Sequence, residues 1–245
     1  MMRREFVRII RIWSQTLLPP VVTTSLYFLV FVAFIGSQIQ PIHGFSYMQF
    51  IVPGLIMMGV ITSSYSNTVS TFYFAKWIRT IDEIIVSPTP DWVVIAGFVS
   101  GGVLRGLLVG ILIMFVSLFF THLAIANIFV LVAALVLTSV LFSFAGLING
   151  IFAKGFDGIS IVPTFVLTPL TYLGGIFFSI SVFSPLWQTV SLANPILYMI
   201  NAFRFGFLGI TDIPLWICFS VLIAFTVAFS AVAIYLFKKG KGIKN

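Results

Sequence analysis

The side chains able to do acid, base, nucleophilic or metal chemistry are few and scattered. The six carboxylates, Glu5, Asp82, Glu83, Asp91, Asp157 and Asp212, fall in tails, loops or the ends of apolar runs. His43 and His122 lie in two short polar stretches with no acid or cysteine at ligand spacing, so no metal site is expected. Cys218, the single cysteine, sits inside an apolar run and can build neither a disulfide framework nor a thiolate cluster. There is no Ser/His/Asp or paired-carboxylate signature, and no G-x-x-x-x-G-K-[ST] phosphate loop. The chain is expected to carry no catalytic residue, metal or cofactor, so any ATP chemistry must come from another subunit. Arg105 is the one cation well inside an apolar run, a functional hypothesis by default. The favoured reading is milder: that run is long enough for its first turns to leave the membrane and let Arg105 snorkel to the interface.

The elements that must position these residues follow from composition. Of 245 residues, 60% are hydrophobic and 8% charged, far below the roughly 25% charge of a soluble domain. A soluble chain of this size could not hide several apolar runs of membrane-crossing length. The net charge of +7 sits at the ends of those runs without interleaved aromatics, so it reads as membrane anchoring and not as nucleic-acid binding.

Apolar runs broken by polar or turn residues predict six transmembrane helices, at 19–36, 50–70, 92–120, 128–152, 159–178 and 214–237. Before the first, Phe6, Ile9, Ile10, Trp13 and Leu17 alternate at helical spacing with Arg4, Arg8, Arg11 and Gln15, an amphipathic pattern over 1–16. It fits an interfacial helix and equally a positive-inside tail. The apolar stretch from Leu17 to Ile35 that follows the basic start is too long for the core of a cleaved export signal and is followed by no small-residue cleavage pattern, so it is read as a retained first span. Lys76, Arg79 and Lys154 fall in loops assigned inside, as do the tail lysines Lys238, Lys239, Lys241 and Lys244. Both termini are therefore expected in the cytoplasm. Arg204 is the exception among the outer loops.

Two connections are unlike short turns. In the inner one, 76–86 predicts a short helix with Trp77, Ile81, Ile84 and Ile85 on one face, and with Arg79 and Glu83 spaced to pair on the other. Ser87-Pro-Thr-Pro90 stops it. It suits docking to a soluble partner, or it is a solvated loop helix. The outer segment 179–211, broken by Pro185 and Pro195, fits two short helices entering and leaving the outer half of the membrane, or an interfacial cap with Trp187 and Tyr198. Within the runs, Gly102, Gly106 and Gly110, then Gly146 and Gly150, repeat every four residues and predict close helix contacts. Pro53, Pro163 and Pro169 invite kinks. The absence of intramembrane acids weighs against a secondary transporter, the alternative reading, and favours a transport subunit driven by a partner.

The stretches Phe45-Ser-Tyr-Met-Gln-Phe-Ile-Val-Pro-Gly-Leu55, Asp82-Glu-Ile-Ile-Val-Ser-Pro-Thr-Pro90, Pro169-Leu-Thr-Tyr-Leu-Gly-Gly-Ile-Phe177 and Asn194-Pro-Ile-Leu-Tyr198, with Arg204, resemble the permease subunit of bacterial ABC-2 type exporters. The resemblance runs over nearly the whole chain and is closest to small stand-alone inner-membrane permeases paired with a separate ATPase. It implies a single all-α transmembrane domain over 1–245, in which two permeases assemble with two ATP-binding subunits that hold the ATP and magnesium. It further implies an interfacial N-terminal helix, a coupling helix at 76–86 with Arg79, Asp82 and Glu83 as ATPase contacts, and re-entrant helices before the last span. The first, second and fifth spans would line the pathway, which makes Tyr27, Asn67, Pro163 and Thr168 lining candidates beside Arg105. The expected cargo is amphipathic: a lipid-like molecule, drug or glycan. Membrane lipids and a second copy of the chain are the remaining expected partners.

Overall fold

The computed structural model describes residues 2–31, 42, 44–86, 88–180 and 184–240. The end of the first expected span (32–36), His43, Ser87, residues 181–183, Lys241 and Lys244 lie outside the described residues. Twelve α-helices and one π-helical turn account for most of the described chain, and the described residues form no named β-strand.

The centre of the bundle is α4 (Tyr47–Trp77), the longest helix. It starts at a capping box: the Ser46 hydroxyl accepts from the Gln49 amide, and the Gln49 side chain accepts from the Ser46 amide. Because α4 is apolar around its circumference it must be covered on all sides, and 83% of its membrane-length window is buried. The helices α6 (Asp91–Ser117), α7 (Ile128–Phe152) and α11 (Pro195–Leu208) supply that cover. Close approach of α6 and α7 to α4 requires glycine. A Cβ on Gly102 would strike Thr68 Oγ1, one on Gly106 would strike Ser64 Oγ, and one on Gly146 would lie 2.5 Å from the Tyr65 carbonyl oxygen.

The N-terminal part folds as α1 (Met2–Arg11), a short α2 (Trp13–Thr16) and α3 (Leu18–Val30). Between α4 and α6 lies α5 (Thr80–Val86). The stretch after α7 is α8 (Phe156–Val162), a π-helical turn (Pro163–Leu167) and α9 (Thr168–Leu173). Pro169 explains the widened turn: its ring would clash with the carbonyl of residue 165, and its nitrogen cannot donate. Beyond it come α10 (Pro185–Leu192), α11 and α12 (Leu215–Lys239).

Among the described residues, five helical stretches are long and apolar enough to cross a membrane: α4, α6, α7, α8 through α9, and α12. This differs from the six expected. The 13 residues of α3 span about 20 Å, short of the roughly 30 Å hydrocarbon layer. The α8–α9 stretch and α12 are largely unpacked, with 11% and 17% of their windows buried.

Candidate functional site

At the end of the bundle that carries α1 and α5, an ion pair within α1 orients the arginine that ties this helix to α4. Glu5 is buried, and its carboxylate lies 2.7 Å from the Arg8 guanidinium. Arg8 also donates to Asn67 Oδ1 at 3.1 Å and to the Thr71 hydroxyl, which itself donates to the Asn67 carbonyl. Gly101 of α6 makes room for this joint: a Cβ there would come within 3.0 Å of Glu5 Oε2 and 3.2 Å of Asn67 Nδ2. Asn67 is thus committed to α1. Arg8 could not be picked from the sequence as its partner, because 59 residues separate the two and a helical tail carries no sign of its docking site.

A cleft of about 260 Å³ opens between α3 and α4. Tyr27, Thr23, Ser63, Ser66 and Arg105 are among its walls. Arg105 reaches from α6 to the end of α2, donating to the Thr16 carbonyl from Nε (3.2 Å) and Nη2 (2.9 Å). It thereby holds the bend where the N-terminal helices turn into α3. Tyr27 and Arg105 share this cleft. The Tyr27 hydroxyl lies 3.4 Å from that of Tyr172, and Phe177 stacks between Phe31 and Tyr172 at 5.2 and 5.9 Å. This aromatic cluster joins α3 to α9 across 145 residues of sequence. Pro163 opens the π-helical turn and Thr168 follows it as the first residue of α9, where its exposed hydroxyl donates to the Pro163 carbonyl at 2.9 Å.

The connection between α4 and α6 corrects one expectation. Lys76 and Trp77 finish α4 and do not start a new helix; Arg79 then turns the chain at φ +59°, and α5 begins at Thr80. With Arg79 outside the helix its four-residue spacing to Glu83 no longer sets a common face, and no ion pair joins them among the described residues. Trp77 leaves the expected apolar face and packs with Phe74 and Phe156, while Ile81 is buried. Arg79, Asp82 and Glu83 are all exposed, the two acids in the first turn of α5, where the helix dipole favours them. Lys76 caps the end of α7 by donating to the carbonyls of Ile151 (2.9 Å) and Ala153 (3.2 Å).

The opposite end holds a cluster around Arg204, which is 1% exposed. Its Nη2 donates to the Gly175 carbonyl at 2.6 Å, Nη1 lies 3.8 Å from Asp212, and the guanidinium sits 3.8 Å from the centre of the Phe50 ring. Asp212 accepts from the Ser179 hydroxyl, and its amide donates to Asn201. Arg204, the exception to the expected charge pattern, is thus paired inside the protein, which removes its weight as an orientation signal. Asn194 ties this region to α9, donating to the Leu170 carbonyl at 2.6 Å while its oxygen caps α11. Among the described residues, no group of three or more His, Cys, Asp or Glu side chains could hold a metal.

Ion pairs at both ends, a largely apolar cleft between helices and unpacked apolar faces fit a membrane protein, and comparison with known proteins names its family. Residues 1–208 match the family model described as ABC-2 type transporter. The chain is 56% identical over 242 residues to the inner membrane transport permease YadH of Escherichia coli (strain K12), covering 99% of this chain and 94% of that protein. It is 21% identical over 232 residues to nodulation protein J of Neorhizobium galegae, covering 92% of this chain and 88% of that protein. A 23% identity over 171 residues relates it to nodulation protein J of Sinorhizobium fredii, covering 69% and 65%. The chain belongs to the ABC-2 type transporter family, as one of its transmembrane permeases.

Proposed function

We propose that this permease is the transmembrane half of an ATP-driven exporter, in which two copies of the chain assemble with two separate ATP-binding subunits in the bacterial inner membrane. The single observation that carries this reading is α5. It is a short helix with an exposed polar face, hung between two membrane-length helices at the end of the bundle where Arg8, Arg11, Lys238 and Lys239 also lie. A soluble ATPase has there a rigid grip on α4 and α6, because Ile81 anchors α5 in the core. Arg79, Asp82 and Glu83 are the contacts, and ATP and magnesium stay on the partner.

In this arrangement both termini are cytoplasmic, α1 lies at the membrane interface, and α3 crosses the membrane together with residues that follow it, giving six spans. The pair α10–α11 forms the outer re-entrant element. The apolar faces left open on α3 and on the α8–α9 stretch fit a second copy, with the pathway between them. Tyr27, Pro163 and Thr168 border that pathway. The cargo is an amphipathic molecule, whether lipid-like, drug or glycan.

Affinity purification from native membranes in mild detergent, with mass identification of what co-purifies, tests the assembly. The expected result is an ATP-binding subunit that is lost when Arg79→Glu, Asp82→Lys and Glu83→Lys are combined. A chain that purifies alone in several detergents would overturn the reading.

A further inference from the structure

The cleft between α3 and α4 has a charge to spare. Arg105 lies midway along α6 and is withdrawn from full solvent contact. The ion pairs among the described residues are Glu5–Arg8 and Arg204–Asp212, so no carboxylate answers Arg105. The neighbouring charge that acts on it is Arg8, of the same sign, and Glu5 is already taken by Arg8 at 2.7 Å. Glu5 and Arg8 line a separate pocket, so Arg105 is the charged residue on the walls of this cleft. A partly buried cation without a counter-charge is costly unless an anion or strong dipoles compensate it. The Thr16 carbonyl takes bonds from Nε and Nη2, and among the described residues nothing accepts from Nη1.

The walls of the same cleft supply further donors. Thr24 and Thr62 spend their hydroxyl protons on the carbonyls of Pro20 and Met58. Thr23 on α3 and Ser63 and Ser66 on α4 line the cleft with no hydroxyl acceptor among the described residues. A guanidinium edge and three free hydroxyls converging on one space are the donor set for an oxyanion such as phosphate, sulfate or carboxylate. The far end of the cleft is closed by Tyr27 and so by the aromatic cluster with Phe177 and Tyr172. At about 260 Å³ the space holds a head group and the start of a chain, the remainder of which would lie along the exposed apolar side of α3.

From this geometry we propose that the α3–α4 cleft binds the head group of an anionic amphiphile, with Arg105 reading its charge and Thr23, Ser63 and Ser66 its oxygens. This deepens the exporter reading by naming a cargo class and rests on that reading for transport, though not for binding. The same chemistry belongs to a resident anionic lipid and to a transported one.

The test uses the purified full-length chain in neutral maltoside micelles, titrated with dodecyl phosphate, dodecyl phosphocholine and dodecyltrimethylammonium and read by native mass spectrometry. Dodecyl phosphate is expected to bind at least about tenfold more tightly than the other two. Arg105→Gln should erase that preference and Arg105→Lys should keep most of it. Because Arg105→Gln also loosens the Thr16 tie, Thr62→Trp serves as a second variant: it fills the cleft, leaves that tie in place and should abolish binding. Equal affinity for the three probes, or a preference untouched by both Arg105→Gln and Thr62→Trp, overturns the proposal. With the ATPase subunit present, stimulation of hydrolysis by dodecyl phosphate that both variants lose marks the ligand as cargo. Binding without stimulation marks it as a resident lipid, and the anion site stands in either case. Failure to recover any ATPase subunit would count against the exporter reading alone, since the binding titration needs no partner.

Discussion

The two ends of the bundle each pair an arginine with a carboxylate, and they use it differently. Around Arg204 the charges balance: Asp212, the Gly175 carbonyl and the Phe50 ring enclose one guanidinium, and Ser179 and Asn201 hold the aspartate in place. At the α1 end, Glu5 must serve Arg8 while Arg105 stands nearby with a carbonyl for its partner. A balanced cluster has one low-energy arrangement and acts as a clamp between α4, α11 and the turn after α9. An unbalanced one has an open valence for a ligand.

Substitutions can break this contrast, and the clamp should show the largest effect. Arg204→Ala strands a partly buried aspartate and a carbonyl and leaves a cavity where a fully buried side chain stood, and should cost about 3–5 kcal/mol, seen as loss of monodisperse protein on size exclusion in detergent or a large fall in Tm. Arg8→Ala removes the partner of Glu5 but leaves that acid close to the edge of the bundle. It should cost about 1–3 kcal/mol, with a smaller fall in Tm, and should loosen α1 enough for faster amide exchange there. Arg79→Gly should have the smallest effect on folding and the opposite sign. Glycine accepts φ +59° without strain, so Tm should rise by roughly 1–3 °C while ATPase binding weakens. If Arg8→Ala proves as damaging as Arg204→Ala, the two ends are equally rigid and the contrast fails.

The helical membrane architecture was legible because it depends on run length and composition, which are local properties. The permease family was legible from the order of several short motifs. The site was legible only in pieces. Tyr27 and Arg105 could be named separately, but their shared cleft depends on how α3 leans on α4 and on Arg105 reaching back to Thr16, 89 residues away. Glu5 reads as a tail residue in sequence, yet it is buried because Gly101 opens a space for it on α6. The α4–α5 turn was missed for a different reason. Nothing in Lys-Trp-Ile-Arg-Thr signals a left-handed residue, since arginine seldom takes that conformation; tertiary anchoring of Trp77 on Phe156 and of Ile81 in the core sets it.

We propose that an ATP-binding subunit drives this chain by gripping α5. The most direct test is ATP hydrolysis by the co-purified complex in liposomes, comparing wild type with the combined Arg79→Glu, Asp82→Lys and Glu83→Lys variant, and checking by Tm that the variant permease is folded. The account predicts hydrolysis in the wild-type complex and its loss, together with loss of the ATPase subunit, in a variant of unchanged Tm. A permease that binds no ATPase and instead carries a proton-dependent flux in liposomes would contradict it.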